Sequence, residues 1–456
     1  MSNFSSLHLA LSGLYAQRRG LDVTGQNIAN ANTEGYSRQR VTMSSDAGPV
    51  VPAMFSRWNG TGQGVHANAV MRLRDQFLET RGYQEHGASA AARSLQGTLA
   101  RIELAFAEPT DQGIGAQLAD FLAGWDDLAN KPDDSAARSQ LLERAKTLVF
   151  SFQQADAAMA GLRTGLVDQM GAVIDDVNAA AESIAELNQS IQVATVAGLS
   201  ANDLMDQRDL LISRLSEQVG VTARPGASGT VDVFVDGTAL VRGSSFEKLR
   251  VSIDPTPPQP VSVVWDRDGY PTRPGGEVSG MITSVNDVIV RYRTELTAVA
   301  QKVNDDVNAL HTTGFALDGV TTGTDFFLMG PMGLEVNPAI LADPNLIAAS
   351  SLAAPAVLDG ANAQALADLT GPDILYRKLV VGLGVEAQTA NRRVDIQAAI
   401  TEQIDMAREA EAGVNLDEEM VNMMSYQRAY EASARMMTAV DEMLSTLISG
   451  TGLVGR

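Results

Sequence analysis

The chain has 456 residues, 45% of them apolar, with 34 basic against 55 acidic side chains, a formal net charge of −21 and no cysteine. That length holds about two to four domains with cores of their own. The acidic balance disfavours nucleic acid and anionic membranes as partners, and the lack of cysteine excludes disulfides, Cys-ligated zinc and a thiolate nucleophile.

The first element is an amphipathic helix over about Phe4 to Asn32. Leu7, Leu14, Leu21 and Ile28 fall seven residues apart, and Phe4 and Leu11 start a second row beside them. That is a heptad seam, and it predicts a partner helix. Gly13 and Gly20 lie inside it, and each weakens an isolated helix by about 1 kcal/mol relative to alanine. A helix that keeps them gains its stability from close packing. The run Asn27-Ile28-Ala29-Asn30-Ala31-Asn32-Thr33-Glu34-Gly35-Tyr36 predicts a helix stop and a sharp turn, since Asn and Gly tolerate left-handed backbone. Met1-Ser2-Asn3-Phe4 has no basic n-region, which argues against a Sec-type signal. No apolar run approaches the roughly 20 residues of a membrane-spanning helix.

Residues 37 to about 70 read as extended. Gly60, Gly62 and Gly64 fit neither a dinucleotide nor a Walker fingerprint and are taken as turn formers. A helix follows from Arg72 to about Phe106, ended by Pro109, and a shorter one from Ile114 to Ala129. Asp133, Asp134 and Ser135 start a third. Its apolar residues keep three-or-four spacing to about Ala197, which predicts a helix roughly 90 Å long and a rod-like bundle. The next helix holds Asp206-Gln207-Arg208-Asp209, charges expected to form a solvated face or a local ion pair.

Residues 221–280 change character. Val231–Val235 and Val261–Trp265 read as strands, with Asp236-Gly237 and Asp268-Gly269 as turns. This is a small β-rich insertion. Helix returns over about Ser279 to Leu310. Gly314 to Glu335 reads as a loop pinned by Phe326-Phe327, and a connector runs to Pro372 with a helical piece at Asn362 to Leu369. A long helix spans about Asp373 to Ala412. The last helix starts at Asn415, with Glu418 three residues on as an Asn variant of the capping box. Leu416, Met423, Tyr430, Met437 and Leu444 recur every seven residues, with Met420, Val440 and Leu447 in a second row. The expected fold is mainly α. The N- and C-terminal helices pair as a coiled coil beside a long-helix bundle rod carrying the β insertion. The expected divisions are 1–70 (N-terminal assembly helix and extended arm), 71–220 and 281–411 (rod), 221–280 (β insertion) and 412–456 (C-terminal assembly helix).

The four histidines, His8, His66, His86 and His311, are scattered, and no G-x-S-x-G elbow is present. Acidic doublets such as Asp126-Asp127 lie in helices, where neighbours diverge by about 100°. No catalytic residue, metal ligand or cofactor site is expected.

Ala10-Leu11-Ser12-Gly13-Leu14, followed by Asn27-Ile28-Ala29-Asn30 through Gly35-Tyr36-Ser37-Arg38-Gln39, resembles the N-terminal signature of bacterial flagellar rod, hook and hook-associated proteins. Asn27, Asn30, Asn32, Gly35 and Tyr36 form its signature turn. Asp206-Gln207-Arg208-Asp209, Phe326-Phe327 and Gly413-Val414-Asn415-Leu416-Asp417-Glu418-Glu419 resemble the first hook-associated protein family, which forms the hook–filament junction. The resemblance implies a structural subunit that polymerises with copies of itself at the distal end of the hook. The terminal helices would line the axial channel. Hook protein, an adjoining second junction protein and filament subunits would be its neighbours. It also implies type III export, with a cytosolic chaperone on the C-terminal helix beforehand and an extracellular location afterwards. Gly330 to Pro372 is too short for the outer β domains of larger relatives, so a trimmed molecule is expected. One competing reading is a hook or rod subunit, against which the long central helices and the Asn415–Glu419 motif argue. The other is an enzyme such as a cell-wall hydrolase, which would need a clustered acid pair or metal site.

Overall fold

A computed structural model describes residues 3–46, 62, 64–354 and 359–450, with side chains of the terminal helices described from Ser6 to Ser449. The first helix, α1 (Asn3–Ala29), is followed by an antiparallel hairpin of β1 (Gln39–Asp46) and β2 (Gly64–Arg72), whose register shifts at Thr42/Met43. Gly60 and the rest of 47–61 lie outside the described residues.

The body is built on long helices. α2 (Gln76–Phe106) is capped by Asp75, whose carboxylate accepts from the N–H groups of Phe77 and Leu78. α3 (Ile114–Asn130) leads to α4 (Ser135–Val196), 62 residues capped by Asp134. α5 (Asn202–Val219) closes on Gly220 in the left-handed region (φ +63). Then come two small antiparallel sheets. The first holds β3 (Val221–Pro225), β4 (Val231–Val235), β5 (Thr238–Arg242) and β6 (Ser245–Phe246) in sequence order. The second holds β7 (Leu249–Ile253), β8 (Val261–Trp265) and β9 (Pro271–Thr272).

α6 (Gly276–Thr283) runs through a π-helical turn at Ser284–Val288 into α7 (Ile289–His311). The segment expected as a loop up to Glu335 contains a hairpin, β10 (Phe327–Gly330) and β11 (Gly333–Val336). Two short helices, α8 (Pro338–Ala342) and α9 (Ala361–Ala367), precede α10 (Gly371–Ala412). α11 (Leu416–Gly450) ends the chain's described part.

α10 runs antiparallel to α2. His86 meets Asp405 at 2.9 Å, Gln96 meets Asn391 at 3.0 Å and the Tyr376 hydroxyl donates to Glu108 at 2.9 Å. One apolar core joins α2–α7, both small sheets, the β10–β11 hairpin and α10. At its end Phe121, Trp125, His311, Phe326 and Phe327 interlock, with centroids 4.8–6.1 Å apart. This is how the Phe-Phe pair pins its loop.

Asparagines on the helices tie in the strands. Asn178 exchanges two hydrogen bonds with the backbone of Leu249 (2.8 and 2.9 Å), Asn188 two with Val231 (2.8 and 3.0 Å), and Asn286 in the π-helical turn two with Val261 (2.7 and 2.8 Å). Asn308 likewise accepts from the Phe326 and Phe327 N–H groups and donates to the Phe327 carbonyl. An amide side chain presents one donor and one acceptor, as a neighbouring strand would. It therefore satisfies backbone groups that would otherwise be buried unpaired.

Candidate assembly surface and its buried polar joint

The terminal helices α1 and α11 pack against each other along their length, outside the main apolar core. Their pairing is antiparallel. A Cβ on Gly13 would stand 2.9 Å from the Ser433 hydroxyl, and one on Gly20 would stand 2.8 Å from the Tyr426 ring. Asn27 donates to Glu419 at 3.1 Å. The contact thus advances seven residues on α1 for every seven it retreats on α11. In this register Asn3 stands opposite Met443, so Leu444–Gly450 run past it.

The closest approach therefore follows Gly13, Gly20 and Asn27, with Ala10, Ala16 and Val23 buried beside it. The leucine row flanks it. Leu7, Leu14, Leu21 and Ile28 are half-buried and Leu11 is exposed, while the Phe4 side chain lies outside the described residues. On α11, Val440 is buried, Met423, Met437 and Leu444 are half-buried, and Leu416, Met420, Tyr430 and Leu447 are exposed. Small residues let two helix backbones approach closely, leaving the larger side chains to splay along both edges.

Where α1 ends, the pairing becomes polar. Asn27 is buried, and its amide makes four hydrogen bonds. Nδ2 donates to the Gln39 carbonyl (2.9 Å) and to Glu419, while Oδ1 accepts from the Gln39 N–H (2.9 Å) and the Tyr36 hydroxyl (2.8 Å). One side chain thereby fastens α1, the turn, β1 and α11. Arg38 reaches the same place, 2.8 Å from both Glu418 and Glu419. Burial alone would lower its pKa, but the two carboxylates raise it. Burial, then Asp206, Asp203 and Glu419, push the Tyr36 phenol up, so it stays a donor. Within the turn Asn30 donates to the Gln26 carbonyl and accepts from Thr33, Asn32 is exposed, and Gly35 (φ +80) lies on Leu210.

Two expectations are corrected here. Asn415 does cap α11, accepting from the Asp417 and Glu418 N–H groups (3.0 and 3.3 Å), but the Glu418 carboxylate turns to Arg38 and does not close a capping box. Asp206, Arg208 and Asp209 are not a solvated face. They are 7%, 3% and 9% exposed. Arg72 bridges Asp206 and Asp209 (2.8 and 2.9 Å), Arg74 joins Asp209 to Glu79, and Glu79 also holds Arg408 (2.8 Å). Arg208 pairs with Asp209 and donates to the Gly229 carbonyl at 2.7 Å. Burial would raise the Asp209 pKa, yet Arg208, Arg74 and Arg72 hold it below the usual carboxylate range. The reason is long-range. Arg72 and Arg74 come from the end of the hairpin, about 130 residues earlier in the chain, and charge spacing along α5 carries no sign of them.

The two networks connect through the Ser37 N–H on Asp206 (3.3 Å) and through Asn202, which donates to Gln39 and to the Val70 carbonyl. The Arg38 N–H donates to the Ala412 carbonyl at 2.9 Å. Together they form a polar joint between the terminal helix pair and the rod. Its groups are occupied by one another, so the joint is a structural fastening. Among the described residues no group of three or more acidic or histidine side chains is placed to hold a metal. No helix there is long and apolar enough to cross a membrane.

Three known families match parts of the chain. The family "Flagella basal body rod protein" matches residues 7–36, "Flagellar hook-associated protein FlgK helical domain" matches 99–327, and "Flagellar basal body rod FlgEFG protein C-terminal" matches 410–450. The flagellar hook-associated protein 1 of Bacillus subtilis is 30% identical over the whole of both chains. The chain belongs to the flagellar hook-associated protein 1 family. Members are structural components of the flagellum, and this chain is one. The family member of Salmonella typhimurium is 26% identical over 98% of this chain and 99% of its own length. The fold is shared with a solved family member, "The structure of the flagellar hook junction protein FlgK from Burkholderia pseudomallei". It has 23% identity and a TM-score of 0.50, and it covers 55% of this chain and 47% of that one.

Proposed function

We propose that this subunit of the hook–filament junction polymerises through the α1–α11 pair, with the buried joint fixing the pair's angle to the rod. The observation that carries the reading is the split in the molecule. The rod has a complete apolar core of its own, whereas α1 and α11 share only a narrow glycine-lined contact. Along it, Leu11, Leu416, Met420, Tyr430 and Leu447 are left at the surface. Exposed apolar residues on both terminal helices call for a covering surface, and neighbouring copies in a helical ring supply it. The half-buried row of Leu7, Leu14, Leu21 and Ile28 serves the same contact.

In this reading the terminal helices form the inner layer around the axial channel and the long helices stand outside them. Hook protein lies on one side of the ring, a second junction protein and the filament subunits on the other. Before export in the cytoplasm, a chaperone covers the methionine-rich α11, whose flexible side chains suit more than one partner. After export the protein is extracellular. It performs no catalysis, and the short 330–372 connector leaves it without outer domains.

The test places a charge in the seam. Leu14→Asp or Leu444→Asp puts a charge on a half-buried seam position, whose full burial between copies would be worth roughly 1.5–3 kcal/mol per side chain, and is expected to leave hooks without filaments in cells lacking their own copy. Normal filaments in both variants would contradict the reading. A purified chain that hydrolyses cell wall, with turnover abolished by one point substitution, would contradict the absence of catalysis.

A further inference from the structure

α10 turns a second face outward that no described residue covers. Ile374, Val381, Val385, Ile396 and Met406 are 57–65% exposed. At 100° per residue they fall within about 40° of one line along the helix. Their separations of seven, four, eleven and ten residues keep them on one side of the helix, and the line is about 48 Å long. Gly382 and Gly384 flank it, with nothing within 4 Å of where a Cβ would stand. A glycine inside a helix costs about 1 kcal/mol relative to alanine, and no contact among the described residues accounts for these two. The same line carries Lys378 and Arg392, exposed and without an ion pair among the described residues. In a chain of net charge −21, two free cations on one apolar stripe point to an acidic counterpart.

The counterpart is on α4. From Thr164 to Val196 that helix has no lysine or arginine. Asp168, Asp175, Asp176, Glu182 and Glu186 are exposed there without an ion pair among the described residues. Gly161, Gly165, Ala172 and Ala179 run between them as a shallow groove, open above both glycines. This row points away from Asn178 and Asn188, which hold the sheets, and at about 38 Å from Gly161 to Glu186 it fits within the length of the α10 stripe. The two faces lie on different sides of the rod. α10 packs on α2 and α7, α4 packs on α3, α5 and α7, and both rows point away from those contacts. One molecule cannot bring them together.

We propose that α10 of one copy docks along the outer face of α4 of the next. Its branched side chains sit over the glycine–alanine groove, and its cations face the α4 acids. The contact joins two different surfaces, so it repeats from copy to copy and builds a ring or helical tube. It rests on the self-assembly reading above and adds a lateral contact for the rod to that of the terminal helices.

The absence of native cysteine makes the test clean. The full chain carrying Val385→Cys with Ala172→Cys, or with Ala179→Cys, is expressed in cells lacking their own copy, and isolated hooks are oxidised. The expected result is a ladder of disulfide-linked dimers, trimers and higher species, with none from Val385→Cys alone. Lys378→Glu with Arg392→Glu is expected to abolish filaments, as is Asp175→Arg with Asp176→Arg, and all four together restore them. Unchanged melting of each purified chain checks the fold. No ladder from either cysteine pair, a dimer from Val385→Cys alone, or a combined swap no better than its halves would each overturn the proposal. If the unsubstituted chain also failed to reach the hook tip, the assembly reading itself would fall. If it assembled and every swap were harmless, only this interface would.

Discussion

At the scale of single residues, Asn27 and His311 are the positions where chemistry decides most. Asn27 is fully satisfied by four bonds to three segments. Asn27→Ala leaves buried Gln39 backbone groups and Glu419 without their partner, at about 1–3 kcal/mol per group. The effect is expected locally, as faster hydrogen exchange in α1 and α11 with the rod's protection unchanged. Equal loss across the rod would show that the joint is part of the main core. His311 has no exposed surface. Its Nδ1 donates to the Thr324 carbonyl (2.7 Å) and its Nε2 accepts from the Ala348 N–H (2.9 Å). Burial lowers its pKa to about 4, against about 6.5 in an unfolded chain. The unfolded state therefore binds the extra proton first. The His311 contribution is complete above about pH 6.5 and is lost as pH falls toward about 4, on the order of 3 kcal/mol. Urea midpoints across that range should fall more steeply for the natural chain than for His311→Asn, and parallel curves would refute the assignment.

At the scale of elements, the asparagine clamps explain why two small sheets with short strands hold to a helical body. Asn188→Ala should cost roughly 2–3 kcal/mol through unpaired Val231 and Gly243 groups, read as a lowered denaturation midpoint with early exchange in β3–β6. Loss spread evenly over α2–α4 would contradict the clamp. The helices themselves were legible in the sequence. Apolar periodicity and the caps at Asp134 and Gly413 give α3, α4, α10 and α11 to within a few residues. The strands were legible as a region, with turns at Asp236-Gly237 and Asp268-Gly269. The contact between α1 and α11 was legible as a pairing but not in its register. The heptad leucines mark the flanks, while the close packing expected at Gly13 and Gly20 is the line of closest approach itself, continued by Asn27, which carries no hydrophobic signal. Of the two readings of Asp206, Arg208 and Asp209, the local ion pair is present between Arg208 and Asp209, and the solvated face failed for a related reason, since burial by Arg72 and Arg74 depends on a hairpin that brings distant sequence together. The asparagine clamps leave no pattern at all, because each acts through the shape of its side chain on backbone far away.

At the scale of the whole molecule, the account rests on one division. The rod is held by a continuous apolar core, and the terminal pair is held by a glycine-lined contact on a polar joint. Changes to the pair should therefore remove assembly without unfolding the rod. The most direct measurement is electron microscopy of hook tips from cells whose only copy carries Gly20→Leu, beside thermal melting of the same purified chain. The leucine would collide with the Tyr426 ring, already 2.8 Å from a single added carbon, and would push α1 off α11. The expected result is bare hooks and a main unfolding transition like that of the natural chain. Filaments of normal length, or a rod that melts with the pair, would contradict it.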